Sequence, residues 1–230
     1  MSEQRVFLYD APVVAHVVRS GFVESVHHGS VVALDANGST LLAVGDITGP
    51  IFPRSSSKPI QALAMLRGGL DLDGELLALA TGSHSGETFH LEGVRRILAG
   101  AGLSEQDLQN TPALPYGESE RNAWIVSGRA ATPLAQNCSG KHAAMLATCV
   151  AAGWDTATYR EPHYPLQQLI AHTLADLSGE PAAATGVDGC GAPVMAVSLP
   201  GLARAFSRVA AASGGPPAAK LAAAVRAPPP

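Results

Sequence analysis

The chain has 230 residues, enough for one domain with a sizeable core, and its 47% apolar and 15% charged residues are the balance of a packed globular protein rather than a disordered one. A net charge of −4 argues against a nucleic-acid binder, and no apolar run is long enough to span a membrane. Three cysteines are an odd number, which suits reduced thiols in a cytoplasm better than a disulfide framework, and residues 1–10 lack the basic-then-apolar pattern of a secretory signal.

Residues 13–19, 23–34 and 41–46 are rich in β-branched side chains. The turn signal Asp35-Ala36-Asn37-Gly38 between the last two predicts a hairpin, and the three runs together an antiparallel meander. Beyond Pro53 the period changes. Lys58-Pro59-Ile60 opens a helix with Ile60, Leu63, Ala64 and Leu66 on its apolar face, and Gly68-Gly69 ends it. Further helices are expected over 74–80, 87–99, 140–152, 162–177 and 199–212, with loop over 110–118 and a cap at Ser104-x-x-Asp107. Strands followed by helices make an α+β fold. Residues 1–212 read as one domain, and 213–230 as an Ala/Pro/Gly-rich tail ending extended at Pro228-Pro229-Pro230.

Four segments hold the candidate chemistry. In Arg54-Ser55-Ser56-Ser57-Lys58, Ser55 and Lys58 stand three apart, the spacing of one helix face. A serine hydroxyl attacks only when a base takes its proton, and lysine serves only when neutral. Its free pKa of about 10.4 must therefore be lowered by burial or a nearby cation. Three adjacent serines make this a cheap match, and Ser57 is equally a helix cap. Gly82-Ser83-His84-Ser85-Gly86-Glu87 places hydroxyls, an imidazole and a carboxylate before a helix. Ser83 is a second nucleophile or a substrate-binding hydroxyl there, and Glu87 a grip for a substrate ammonium. The plainer alternative is a capping turn built from Ser83 or Ser85 with Glu87. Asn137-Cys138-Ser139-Gly140-Lys141-His142 and Asp188-Gly189-Cys190-Gly191 put thiols in glycine-flanked loops. With one nitrogen ligand, Cys138 and Cys190 would make a three-ligand metal site with an open fourth position. By spacing, His142 is the natural third ligand and Lys141 an unusual one. Two inert buried cysteines are the alternative, and Cys149 is read that way. Asp188 is a candidate for the second shell of a metal, for a substrate amine, or for an Asx-turn. His27 and His28 fall in a predicted strand and are not assigned chemistry.

These segments, in this order, resemble the rhizobial-type L-asparaginases, also called class 3 or asparaginase II-like. The likeness runs from Val23-Glu24-Ser25 to Pro193 and weakly to about 210. It implies hydrolysis of L-asparagine to L-aspartate and ammonia, and a serine β-lactamase/glutaminase-like fold, an antiparallel sheet against a helical region. It also implies a homodimer, with no nucleic acid or membrane partner. Ser55 and Lys58 become the first Ser–Lys pair, and Ser83 belongs to a second. Zinc would be held by Cys138, Lys141 and Cys190, which puts Lys141 rather than His142 on the metal. Arg54, His84, Glu87, Asp188 and Gly189 are assigned to the substrate. Family chains continue further, so the reading expects a C-terminal truncation, an incomplete sheet and no lysine for Ser83. Two alternatives follow: a catalytically inactive metal-binding fragment, or another acyl-serine enzyme of glutaminase or penicillin-recognising type. No Ser-Asp-Asn or Lys-Thr-Gly segment supports the latter.

Overall fold

In the computed structural model, which describes residues 11–213 and 215–227, the chain first reverses at Ser20 and Gly21. Their φ values of 50° and 81° are the paired left-handed conformations of a tight hairpin turn. The turn joins β1 (Val13–Arg19) to antiparallel β2 (Phe22–His28), every residue of which is exposed. A second hairpin joins β3 (Val31–Leu34) to β4 (Thr40–Val44). Its turn is the expected one, closed by the Asp35 carboxylate accepting the N–H groups of Asn37 and Ser39, both at 2.8 Å. The single run expected over 23–34 is therefore two strands, parted at Gly29 and Ser30, where the chain passes from one ladder to the next. The β1–β2 and β3–β4 pairs are separate sheets rather than one meander.

The core is helical. Pro59 sits in the first turn of α1 (Lys58–Arg67), where its missing N–H is harmless, and residues 60–66 are buried on all sides. α2 (Gly74–Ala80) and α3 (Thr88–Gly100) follow, and the expected cap at Ser104 and Asp107 closes only a short 3-10 turn. α4 (Glu118–Val126) was not expected; its first turn is polar and Trp124 is its one buried residue, which leaves a weak apolar period. α5 (Ser139–Ala151) is Ala-rich and buried along most of its length, and packs against α1, α2 and α3. α6 (Pro165–Ser178) ends at Gly179 with φ of 77°, the left-handed stop that Ser178-Gly179 predicts.

A third hairpin pairs β5 (Ala184–Val187) with the buried β6 (Pro193–Ala196), and its connection presents Asp188, Gly189 and Cys190. Alanine, glycine and proline in these short strands conceal them from a β-propensity reading. α7 (Leu199–Ala210) is capped by the Ser198 hydroxyl, which accepts the Gly201 N–H at 3.0 Å, and it covers β3.

The expected tail is largely helix. α8 (Pro216–Arg226) buries Ala218, Leu221, Ala222 and Ala224 against α1, α2 and α7. Alanine is the strongest helix former, and its small side chain lets helices approach closely, so low complexity here encodes packing rather than solvation. The expected extended end at 228–230 lies outside the described residues, as does the stretch read for a secretory signal. The described chain is α+β, with eight α-helices and small antiparallel sheets. Among the described residues no helix is long and apolar enough to cross a membrane.

Candidate active site

The Ser-x-x-Lys segment forms a 3-10 turn, Arg54–Ser57, running directly into α1. Arg54 opens it with φ of 51°, a left-handed conformation that a non-glycine residue adopts at a cost of roughly 1 kcal/mol or more. Its guanidinium meets the Asp188 carboxylate at 2.9 Å, which ties the start of α1 to the β5–β6 connection. Asp188 is largely buried and its partner exposed.

Lys58 is 1% exposed, yet its amine does not turn to Ser55. The Lys58 Nζ lies 2.8 Å from Ser83 Oγ and donates to the Gly82 carbonyl at 2.8 Å. Burial lowers the Lys58 pKa, with Lys141 adding to the effect and the Cys138 thiol opposing it. Ser83 itself is exposed. It lines a cleft of about 800 Å³ between α2, α3 and α8, whose walls include Leu76, Leu79, Phe89, His90 and Val225. Ser55 is also exposed, on the outer side of the 3-10 turn. The lysine nearest to Ser83 therefore comes from the first pair, which the spacing in the chain had joined to Ser55.

The Gly82–Glu87 loop is stitched to the third segment. The His84 backbone N–H donates to the Asn137 carbonyl at 3.1 Å, and His84 Nε2 stands 2.7 Å from the fully buried Ser139 hydroxyl. Burial, aided by His90 and Lys58, lowers the His84 pKa to about 4, so the ring is neutral at pH 7. His84 thus sits behind Ser83 and braces the loop, while also lining the cleft. Glu87 accepts the Ser85 hydroxyl at 2.8 Å, and it occupies the position before α3 without a side-chain cap bond.

Cys138 stands at the N-terminal end of α5 and Lys141 one turn on, so both project toward the loop that carries Cys190. All three are buried, and Lys141 Nζ lies 3.2 Å from Cys190 Sγ. A hydrogen bond with Cys190, with help from Lys58 and Lys141, lowers the Cys138 pKa to about 5, while that contact and burial raise Cys190. Two sulfurs, one readily ionised, with an amine alongside are a donor set that suits zinc. Among the described residues no three of His, Cys, Asp or Glu converge to hold an ion, so His142 does not complete a site with the two thiols. His142 turns instead to the Tyr159 hydroxyl, 2.7 Å from its Nδ1. Cys149 is fully buried and its thiol is pushed up to about 11 by burial, so it stays an inert thiol.

The structure thus gathers Lys58 with Ser83, Arg54 with Asp188, and Cys138 with Lys141 and Cys190, and the thiols lie close enough to Lys58 to shift its charge. Glu87 belongs to the outer loop, and Gly189 supplies an N–H that caps Asp188 Oδ1 at 2.8 Å. Ser139 and Tyr159 enter the site without any local signal, because their partners are 55 and 17 residues away, whereas His90 lies only five residues from its partner Ser85 and was missed because it stands outside the four segments.

A search of curated proteins returned no match. The profile of the L-asparaginase II family matches residues 15–230, past the point near 210 where the likeness had been read to fade and through the whole of α8. The chain belongs to the L-asparaginase II family.

Proposed function

We propose that this chain hydrolyses L-asparagine to L-aspartate and ammonia, with Ser83 as the attacking oxygen and Lys58 as its base. The observation that carries the reading is the 2.8 Å contact between Lys58 Nζ and Ser83 Oγ, a hydroxyl that lines an open cleft. The Gly82 carbonyl holds the amine in place, so that a neutral Lys58 directs its lone pair to the serine proton. Ser83 Oγ attacks the carboxamide carbon as Lys58 takes that proton. The carboxamide C–N bond breaks, the leaving nitrogen receives the proton from Lys58, and ammonia departs. Water then gives a proton to Lys58, attacks the β-aspartyl ester and releases aspartate, with the proton returned to Ser83.

A free amino acid carries an ammonium and a carboxylate, the complement of the Arg54–Asp188 ion pair. The substrate can exchange with that pair, its α-carboxylate on Arg54 and its α-ammonium on Asp188. Cys138, Lys141 and Cys190 would hold zinc, which would supply a fixed positive charge beside the site and tie α5 to the β5–β6 connection. The same reading makes the protein a cytoplasmic homodimer, for which the exposed apolar side chains of β1 and β2 offer a surface; light scattering of the purified chain tests it.

The deciding experiment is ammonia release from L-asparagine by wild type, Ser83→Ala and Ser55→Ala. Wild type turns over, and Ser83→Ala loses at least about 10³-fold in kcat. Ser55→Ala keeps most activity. The reverse order of losses moves the nucleophile to Ser55. No ammonia from wild type supports the inactive fragment, and labelling by a fluorescent penicillin supports the other acyl-serine class.

A further inference from the structure

The cleft beside Ser83 is larger and more apolar than asparagine requires. Its volume of about 800 Å³ is that of a site for a drug-sized ligand rather than for one small polar amino acid. Leu76 and Leu79 of α2, Phe89 of α3 and Val225 of α8 give it apolar walls. Phe89 is 55% exposed and Val225 53%, so each keeps apolar surface available to a ligand. The Phe89 ring lies against His90 with centroids 4.0 Å apart, and His90 stacks in turn on His84 at 5.4 Å. Burial lowers the His90 pKa, so that ring is neutral at pH 7. Of the charged side chains that line the cleft, Glu75 and Arg96 are paired with each other and Glu92 is an anion. None of them offers a free cation to an α-carboxylate. The Arg54–Asp188 pair, which takes the α-carboxylate and α-ammonium in the reading above, is not among the walls.

We propose that this cleft receives the nitrogen substituent of the scissile amide, so that the substrate class extends to L-asparagine carrying an apolar group on its side-chain nitrogen. The inference rests on the Ser83 reading above and deepens it by naming the leaving group. Ser83 belongs to both halves of such a site. Its oxygen meets Lys58, which follows Arg54 at the head of α1, and its side chain lines the cleft. With the amino-acid end on Arg54 and Asp188, the cleft is left for the nitrogen side. The chemistry is unchanged. Ser83 Oγ attacks the carboxamide carbon, the C–N bond breaks, and the leaving nitrogen takes the proton held by Lys58. A primary amine then departs in place of ammonia, and water hydrolyses the β-aspartyl ester to L-aspartate. An aryl substituent finds the Phe89 ring to pack on and Leu76, Leu79 and Val225 around it.

The test compares release of L-aspartate from L-asparagine, its N-methyl amide and its N-benzyl amide, each substituted on the side-chain nitrogen. Methylamine and benzylamine are both primary alkylamines of similar leaving ability, so a difference between the two substituted amides reads the cleft. Wild type hydrolyses the benzyl amide with kcat/KM at least about 10-fold above the methyl amide. Phe89→Ala removes the ring and Val225→Asp puts a charge on the α8 wall, and each brings the two amides toward parity. Both positions are more than half exposed, so melting curves close to wild type show that the fold is kept. Ammonia from asparagine with no preference for the benzyl amide, or a preference that survives both substitutions, overturns the proposal and leaves the Ser83 reading standing. Turnover of the benzyl amide without ammonia from asparagine upholds the cleft and replaces the substrate. No turnover of any of the three overturns the Ser83 reading, and this inference with it.

Discussion

A lysine amine buried beside a serine is either a cation with protons to give or a base with one lone pair, and Lys58 is pushed toward the second by desolvation. Activity at Ser83 requires the neutral form, so kcat/KM should rise with pH through the lowered Lys58 pKa, below the ordinary lysine range. Lys58→Arg should be inactive at every pH, because guanidinium does not deprotonate. A flat pH profile would contradict the assignment. Arg54→Ala and Asp188→Asn should raise KM for asparagine more than they lower kcat, since they remove ground-state grips rather than reacting groups. His84 gives a stability prediction. Its folded pKa is about 4 against 6.5 unfolded, so between those values the unfolded chain binds a proton that the native one refuses. Stability therefore rises with pH across this window and is lost as pH falls from about 6.5 toward 4, by up to about 3 kcal/mol. Denaturant melts at pH 7 and pH 4.5 check it; His84→Gln should reduce the difference, with the remainder coming from His142, whose pKa burial also lowers to about 4.

At the scale of elements, Gly140 shows local propensity yielding to packing. An alanine there would favour α5 by about 1 kcal/mol on propensity alone. A Cβ at Gly140, however, would lie 2.8 Å from the backbone oxygen of Leu79, at the end of α2. Backbone cannot rotate aside as a side chain can, so the helices must part. Gly140→Ala should lower stability by about 1–3 kcal/mol, and it should disturb the Cys138–Lys141 segment that α5 carries. A raised melting temperature would show that the close approach of α5 and α2 is not needed. The same reasoning explains why α1 is legible and β5 is not. α1 has a proline-marked start, a long apolar run and a glycine stop. β5 is four residues of alanine, threonine, glycine and valine, and acquires its strand character only from pairing with β6.

For the whole molecule, α8 decides whether residues past 213 belong to the domain. Leu221 is 0% exposed, so Leu221→Ala should cost about 2–5 kcal/mol. In a solvated tail the same change would cost almost nothing. Chemical denaturation of the purified variant separates the two. α8 also forms one wall of the cleft over Ser83 through Ala224 and Val225, extended by Ala227 just past its end. Loss of this helix should therefore open the site as well as weaken the core.

The sequence by itself determined the α+β class, six of the helices to within a few residues, the β3–β4 turn, and the four short segments that bear the chemistry, because each has a local cause: a proline or glycine at an end, an apolar period, or reactive side chains close together in the chain. Only the tertiary structure decided which of them meet. Lys58 lies 3 residues from Ser55 but reaches a serine 25 residues away, and Lys141 reaches a sulfur 49 residues away. Those contacts are set by how α1, α5 and the β5–β6 connection pack, and a long flexible amine follows the cavity around it rather than the spacing along its own helix.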